Sequence, residues 1–97
     1  MLDNQYNITS NREAGNGRFD IQMLPLNRKL PGILIELKVG KDCTEEKLDE
    51  LAATALKQIN DRQYHVEMSA QGVKEILQYG IAFSGKSASI RAEIRKF

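Results

Sequence analysis

Several kinds of chemistry lack the residues they need in this chain. Its 97 residues include a single cysteine, Cys43, and a single histidine, His65. One thiol forms no internal disulfide and builds no multi-thiolate metal site, which fits a reducing compartment. Cys43 has no base beside it, so thiol catalysis is not expected. His65 has no second His or Cys at ligand spacing and reads as a surface or half-buried side chain. The net charge is only +1, so no global basic field marks the chain for nucleic acid, although a local basic patch stays open. No apolar run approaches the roughly 20 residues that span a bilayer. The opening "MLDNQYNITS" is polar from its third residue, so no signal peptide is visible. Its abruptness reads as a cut point within a longer protein. There is no internal repeat and no low-complexity segment. "GNG" has no following Walker lysine and reads as a turn.

What is present is ordinary for one small soluble domain: 41% apolar and 28% charged residues. Tyr6 and Ile8 alternate within Asn4–Glu13, a short weak strand. "AGNG" (Ala14–Gly17) is a turn. In "RFDIQML" (Arg18–Leu24), Phe19, Ile21 and Met23 share one face and Asp20, Gln22 and Leu24 the other. Pro25 to Pro31 is a loop carrying Arg28 and Lys29. "GILIELKV" (Gly32–Val39) is the strongest strand. Ile33, Ile35, Leu37 and Val39 point one way, and Leu34, Glu36 and Lys38 the other.

A long helix is predicted from about Thr44 to Asn60. Asp42 or Thr44 can cap it, and Glu45 and Glu46 suit its first turn. Leu48, Leu51, Ala52, Ala55, Leu56 and Ile59 form an apolar stripe. Glu45–Asp49 and Glu46–Glu50 are like-charged pairs four apart, so packing of the stripe must hold this helix. "QGVKEILQY" (Gln71–Tyr79) reads as a second helix. "GIAFSG" and "SASIRAEIRKF" read as closing strands turned near Gly85 and Lys86. The fold class is therefore α/β, with a mixed sheet and Gly32–Val39 at its centre.

A charge in an apolar strand is costly unless it is paired or used. If the two strands are hairpin neighbours, Asp20 and Glu36 converge, since paired side chains on adjacent strands stand roughly 5 Å apart. Two carboxylates at that range repel unless a cation lies between them, and oxygen ligation suits Mg²⁺ or Mn²⁺. Lys38 lies on the same side, roughly 7 Å along the strand, where it could hold a phosphate oxygen or orient an attacking water. The alternative for a Glu-x-Lys on a strand is a solvated face. Arg12, Arg18, Arg28, Lys29, Lys41 and Lys86 could line a phosphate-binding rim or be solubilising charges. Tyr64, Tyr79 and Phe83 read as packing residues.

"SNREAGNGRFDI", "GILIELKVGK", "ALKQI" and "YGIAFSGK", in that order from about Ser10 to Lys86, resemble PD-(D/E)XK nuclease-like domains of the type found C-terminal to predicted AAA-type ATPases in bacteria. The resemblance implies a restriction-endonuclease-like core: a mixed central sheet with flanking helices, in one domain over residues 1–97 at the end of a longer, cytoplasmic protein. It implies metal ligation by Asp20 and Glu36, a catalytic Lys38, a ligating carbonyl at Leu37, and a polar active-site residue at Gln58. Arg12, Arg18 and Lys41 would contact nucleic acid. The cofactor implied is Mg²⁺ or Mn²⁺. The partners implied are nucleic acid, DNA before RNA, and an upstream ATPase domain.

Two departures stand out. Phe19 occupies the family's proline position, and the family's leading core helix is absent from this chain. Glu13 could supply the acid that helix often carries, or could pair with Arg12 or Arg18. The sheet face the helix would cover is expected to expose aliphatic side chains or to self-associate into a homo-oligomer. Two functional classes follow: a divalent-metal-dependent nuclease domain, or a non-catalytic module of the same fold serving assembly or nucleic-acid contact beside the ATPase.

Overall fold

The computed structural model describes residues 5–13, 18–61 and 64–97. The expected turn at Ala14–Gly17 lies outside them. Strands β1 (Tyr6–Glu13), β2 (Arg18–Pro25) and β3 (Gly32–Val39) form an antiparallel meander. Helices α1 (Glu45–Asp61) and α2 (Tyr64–Ala70) then carry the chain over to β4 (Glu75–Ser84), which runs parallel to β3. A parallel pair needs such a long crossover. Strand β5 (Ser87–Lys96) returns antiparallel to β4, and the sheet order is β1-β2-β3-β4-β5.

The mixed sheet, its central β3 and the long helix agree with the residue pattern. Thr44 caps α1: its Oγ1 accepts the Lys47 amide at 3.2 Å. Leu48, Ala52, Ala55 and Ile59 are buried against the sheet, which holds the helix despite its like-charged pairs. Ser89 Oγ donates to Asp49, and Arg95 donates to Asn60 Oδ1 at 2.9 Å, so both halves of α1 are tied to β5.

Gln71–Tyr79, expected as a helix, is not one. The second helix is Tyr64–Ala70 instead, and it ends where Gly72 turns at φ 94°. Val73, Ile76 and Leu77 have helix-like spacing, but Val73 precedes β4, and Ile76 and Leu77 lie in a strand that is largely apolar on both faces. Ile76, Gln78, Gly80, Ala82 and Ser84 are buried, while Leu77, Tyr79 and Ile81 alternate with them half-buried. Such a central strand hides its two-residue period.

Both helices lie on one face of the sheet. The core there joins Leu34, Ile59, Met68, Val73 and Ile76, with a second cluster of Leu48, Ala52 and Ala82. At Gly80 the α1 backbone comes close to the strand. A Cβ added there would stand 2.5 Å from Leu56 N and collide with the Ala52 carbonyl.

The opposite face has no described helix on it. Registry places Ile8, Ile21, Ile33, Ile35, Leu37, Val39, Leu77, Tyr79, Ile81, Phe83, Ile90 and Ile94 there. Exposure reaches 64% at Val39, 61% at Ile90 and 59% at Ile94. Among the described residues the β1–β2 end of this face is closed: Tyr6, Met23 and Pro25 are buried, and Tyr6 donates to the Pro31 carbonyl at 2.9 Å. The described residues thus cover the charge-bearing face and leave much of the aliphatic face exposed.

Candidate active site beneath the first helix

Strand β2 pairs with β3 so that Asp20 lies directly opposite Glu36. Both point to the helix-covered face, as do Leu34 and, two residues beyond Glu36, Lys38. Asp20 is 6% exposed and Glu36 fully buried. Directly opposed residues on neighbouring strands have Cβ atoms roughly 5 Å apart, and two ionised carboxylates at about that range would repel by about 3 kcal/mol at an effective dielectric near 20. Such a pair persists in a fold only with compensating partners, and both residues are engaged by neighbours. One of those contacts comes from α2. Tyr64, its first residue, donates its hydroxyl to Asp20 Oδ2 at 3.3 Å.

Glu36 lies opposite Gly80 on its other side. The missing side chain at Gly80 lets the α1 backbone settle against β4, next to the strand position that carries Glu36. The same helix carries Gln58, half-buried, whose Oε1 has no hydrogen-bond partner among the described residues. Gln78, on β4 diagonal to Glu36, is fully buried, and neither its Oε1 nor its Nε2 is hydrogen-bonded among the described residues. Lys38 is half-buried, beside Arg18 on β2 and Ala82 on β4.

The chain matches the family model described as PD-(D/E)XK nuclease superfamily over residues 1–93. The chain belongs to the PD-(D/E)XK nuclease superfamily. No curated protein and no solved structure matches it. The five-stranded mixed sheet with its two helices is compatible with the restriction-endonuclease-like α/β fold of that superfamily.

PD-(D/E)XK nucleases generally use divalent metal ions. Among the described residues no three His, Cys, Asp or Glu side chains gather at one point. The two carboxylates and any main-chain carbonyl nonetheless form an all-oxygen donor set. That set fits a small hard cation, which keeps several of its waters.

The other residues expected at the site separate into groups. The side chains of Arg12, Glu13 and Arg18 lie outside the described ones; by backbone registry Glu13 stands opposite Arg18. Lys41 is exposed just past β3. Arg28 is tied into the fold, donating to the Gln71 carbonyl at 2.8 Å and to the Pro25 carbonyl. His65 is half-buried and stacks on Phe97, ring centres 6.3 Å apart. Burial, with Arg95 adding repulsion, lowers its pKa below the usual 6.5. Cys43 is half-buried, its amide donating to Ser84 Oγ at 3.0 Å.

Sequence reasoning missed two polar residues on this face. Tyr64 has the spacing of a packing residue; the signal for its role is its place just past the helix carrying Gln58. Gln78 was hidden by the helical reading of its segment. The alternation of Ile76, Gln78, Gly80, Ala82 and Ser84 would have put it on a buried strand face.

Proposed function

We propose that this chain is a divalent-metal-dependent nuclease domain that hydrolyses phosphodiester bonds in nucleic acid, DNA before RNA. The observation that carries this reading is the in-register burial of Asp20 against Glu36, with Lys38 on the same strand face. Asp20 and Glu36 would hold Mg²⁺ or Mn²⁺, and the Leu37 carbonyl could add a ligand. The bound ion would neutralise phosphate charge and favour an attacking hydroxide. Lys38 would hold a phosphate oxygen or orient the water. Gln58 on α1 would add a polar group to the site, and Tyr64 would hold the Asp20 carboxylate through its hydroxyl. Arg12, Arg18 and Lys41 would meet the nucleic-acid backbone. Within the same proposal the domain lies in a longer bacterial, cytoplasmic protein, next to an AAA-type ATPase. No helix among the described residues is long and apolar enough to cross a membrane.

One observation favours the second reading, a non-catalytic module of the same fold serving assembly or nucleic-acid contact. Glu36 is fully buried, so substrate would reach an ion beside it only from the Asp20–Lys38 side or after α1 moves.

Thermal melting with and without Mn²⁺, beside a plasmid-cleavage assay, separates the two. At an Mn²⁺ concentration of about 100 Kd, binding should stabilise the parent by about 2.7 kcal/mol. Glu36→Gln should lose that shift and all cleavage while keeping the fold. Lys38→Ala should keep the shift and lose cleavage. If Glu36→Gln responds to Mn²⁺ as the parent does, this pair does not hold the ion. A parent that neither binds metal nor cuts leaves the non-catalytic module as the answer.

A further inference from the structure

Strand β5 is an edge of the sheet, with no further strand beside it among the described residues. Its ladder shows which amides are unused. Phe97 N–H donates to the Lys74 carbonyl at 3.0 Å, and registry with β4 continues without a bulge from Lys96 to Ser87. In an antiparallel pair, alternate residues turn both N–H and C=O toward the neighbour. Arg95, Glu93, Arg91 and Ser89 therefore bond to β4. Lys96, Ile94, Ala92, Ile90 and Ala88 direct theirs outward.

Natural edges are usually blunted by proline, a bulge, a short strand, inward-pointing charge or charged side chains along the edge. This one has ten residues, no proline, no glycine and no bulge. Its charges are self-complementary. When the strand is laid antiparallel on a copy of itself about Ala92, Arg91 stands opposite Glu93 of the copy, and Glu93 opposite its Arg91. Ile90 then meets the copy's Ile94, and Ile94 its Ile90. The even-numbered pairs are the ones with outward amides, so they form the hydrogen-bonded pairs. The Arg–Glu pairs fall at the non-hydrogen-bonded positions, where side chains are closest. Centring on Arg91 or Glu93 instead places like charges face to face. Arg91, Glu93, Ile90 and Ile94 are all exposed in the single chain. Ser89 and Arg95, also on the helix side, are held back by Asp49 and Asn60.

We infer that β5 pairs with β5 of a second copy of this chain, antiparallel and centred on Ala92, joining two sheets into one of ten strands. The two-fold axis stands perpendicular to the sheet, so both copies keep their helices on the same side and their open aliphatic faces on the other. The candidate active site takes no part, so the inference stands apart from the proposed activity.

Sedimentation equilibrium of the whole chain, from micromolar to millimolar concentration, should show twice the chain mass at the upper end. Ala92→Pro removes an outward N–H without touching the β4 ladder and should leave only monomer. Arg91→Glu alone should be monomeric, as should Glu93→Arg alone, each having like charges at both crossing points. Mixed in equal amounts, these two surface variants should form a heterodimer, because each Glu then meets an Arg. A monomeric parent across the range overturns the inference. So does a dimer that survives Ala92→Pro, or single charge variants that associate as the parent does. If the two monomeric charge variants fail to associate on mixing, the Ala92-centred register is wrong.

Discussion

Gly80→Ala tests whether contact between α1 and β4 holds the candidate site closed. In an open strand this substitution would help, since glycine in a strand interior is worse than alanine by about 0.5–1 kcal/mol. At Gly80 the new methyl would stand 2.5 Å from Leu56 N and 3.1 Å from Leu56 Cα. These atoms are backbone, so no side-chain rotation relieves the contact; α1 must lift by about an ångström to restore an ordinary van der Waals separation. Overpacking of this kind costs typically 1–3 kcal/mol. For a domain of this size that lowers the melting temperature by about 4–8 °C per kcal/mol. The assay is thermal denaturation by circular dichroism, with amide exchange at β3 as a second readout. Lifting α1 admits water to Glu36, so exchange in Leu34–Leu37 should quicken along with the loss of stability. An unchanged or raised melting temperature would show that α1 does not press on β4 at Gly80.

Leu34 is 1% exposed and packs with Ile59, Met68, Val73 and Ile76; Leu34→Ala should therefore cost about 2–5 kcal/mol, read as a shift in the urea midpoint with unchanged slope. The His65 imidazole titrates below its usual value in the folded chain, so at pH below 6.5 the unfolded state takes up a proton the folded state refuses. Its contribution is fully present above pH 6.5 and is lost as pH falls through the lowered value. Melting temperatures of the parent and His65→Gln, measured between about pH 7 and 5, should converge toward the acid end; parallel curves would show that His65 is not the group responsible.

Much of the fold could be read from local chemistry. The Gly32–Val39 strand is bounded by a proline-glycine pair and a glycine, and its limits are those of β3. The Thr44 cap and the stripe from Leu48 to Ile59 placed α1 to within a residue. The opposition of Asp20 and Glu36 was also legible, because the two strands join through a short loop and their charges share one parity. What was not legible depends on contacts distant in sequence. The meaning of Gln71–Tyr79 is decided by the strands on either side of it, since a segment apolar on both faces suits a helix as well as a central strand. Tyr64 reaches Asp20 across 44 residues, and no spacing rule connects them. Which sheet face α1 covers was equally hidden. A stripe of aliphatics is the usual partner for a helix, yet here the helix lies on the face bearing Glu36.

The long return from β3 to β4 divides the molecule into parts that close in sequence. Strands β1, β2 and β3 meet through short connections, so their pairing closes little loop entropy and forms early. The segment 40–74 must arch over before β4 can dock, and the lid over Glu36 arrives with it. Opening should retrace that order, with the crossover detaching while the meander still holds its register. In that half-open form Asp20 and Glu36 stay opposite each other but face water. On the proposed metal-dependent reading, a hydrated ion would reach the pair through breathing of the crossover, at a rate set by how often α1 and α2 leave the sheet.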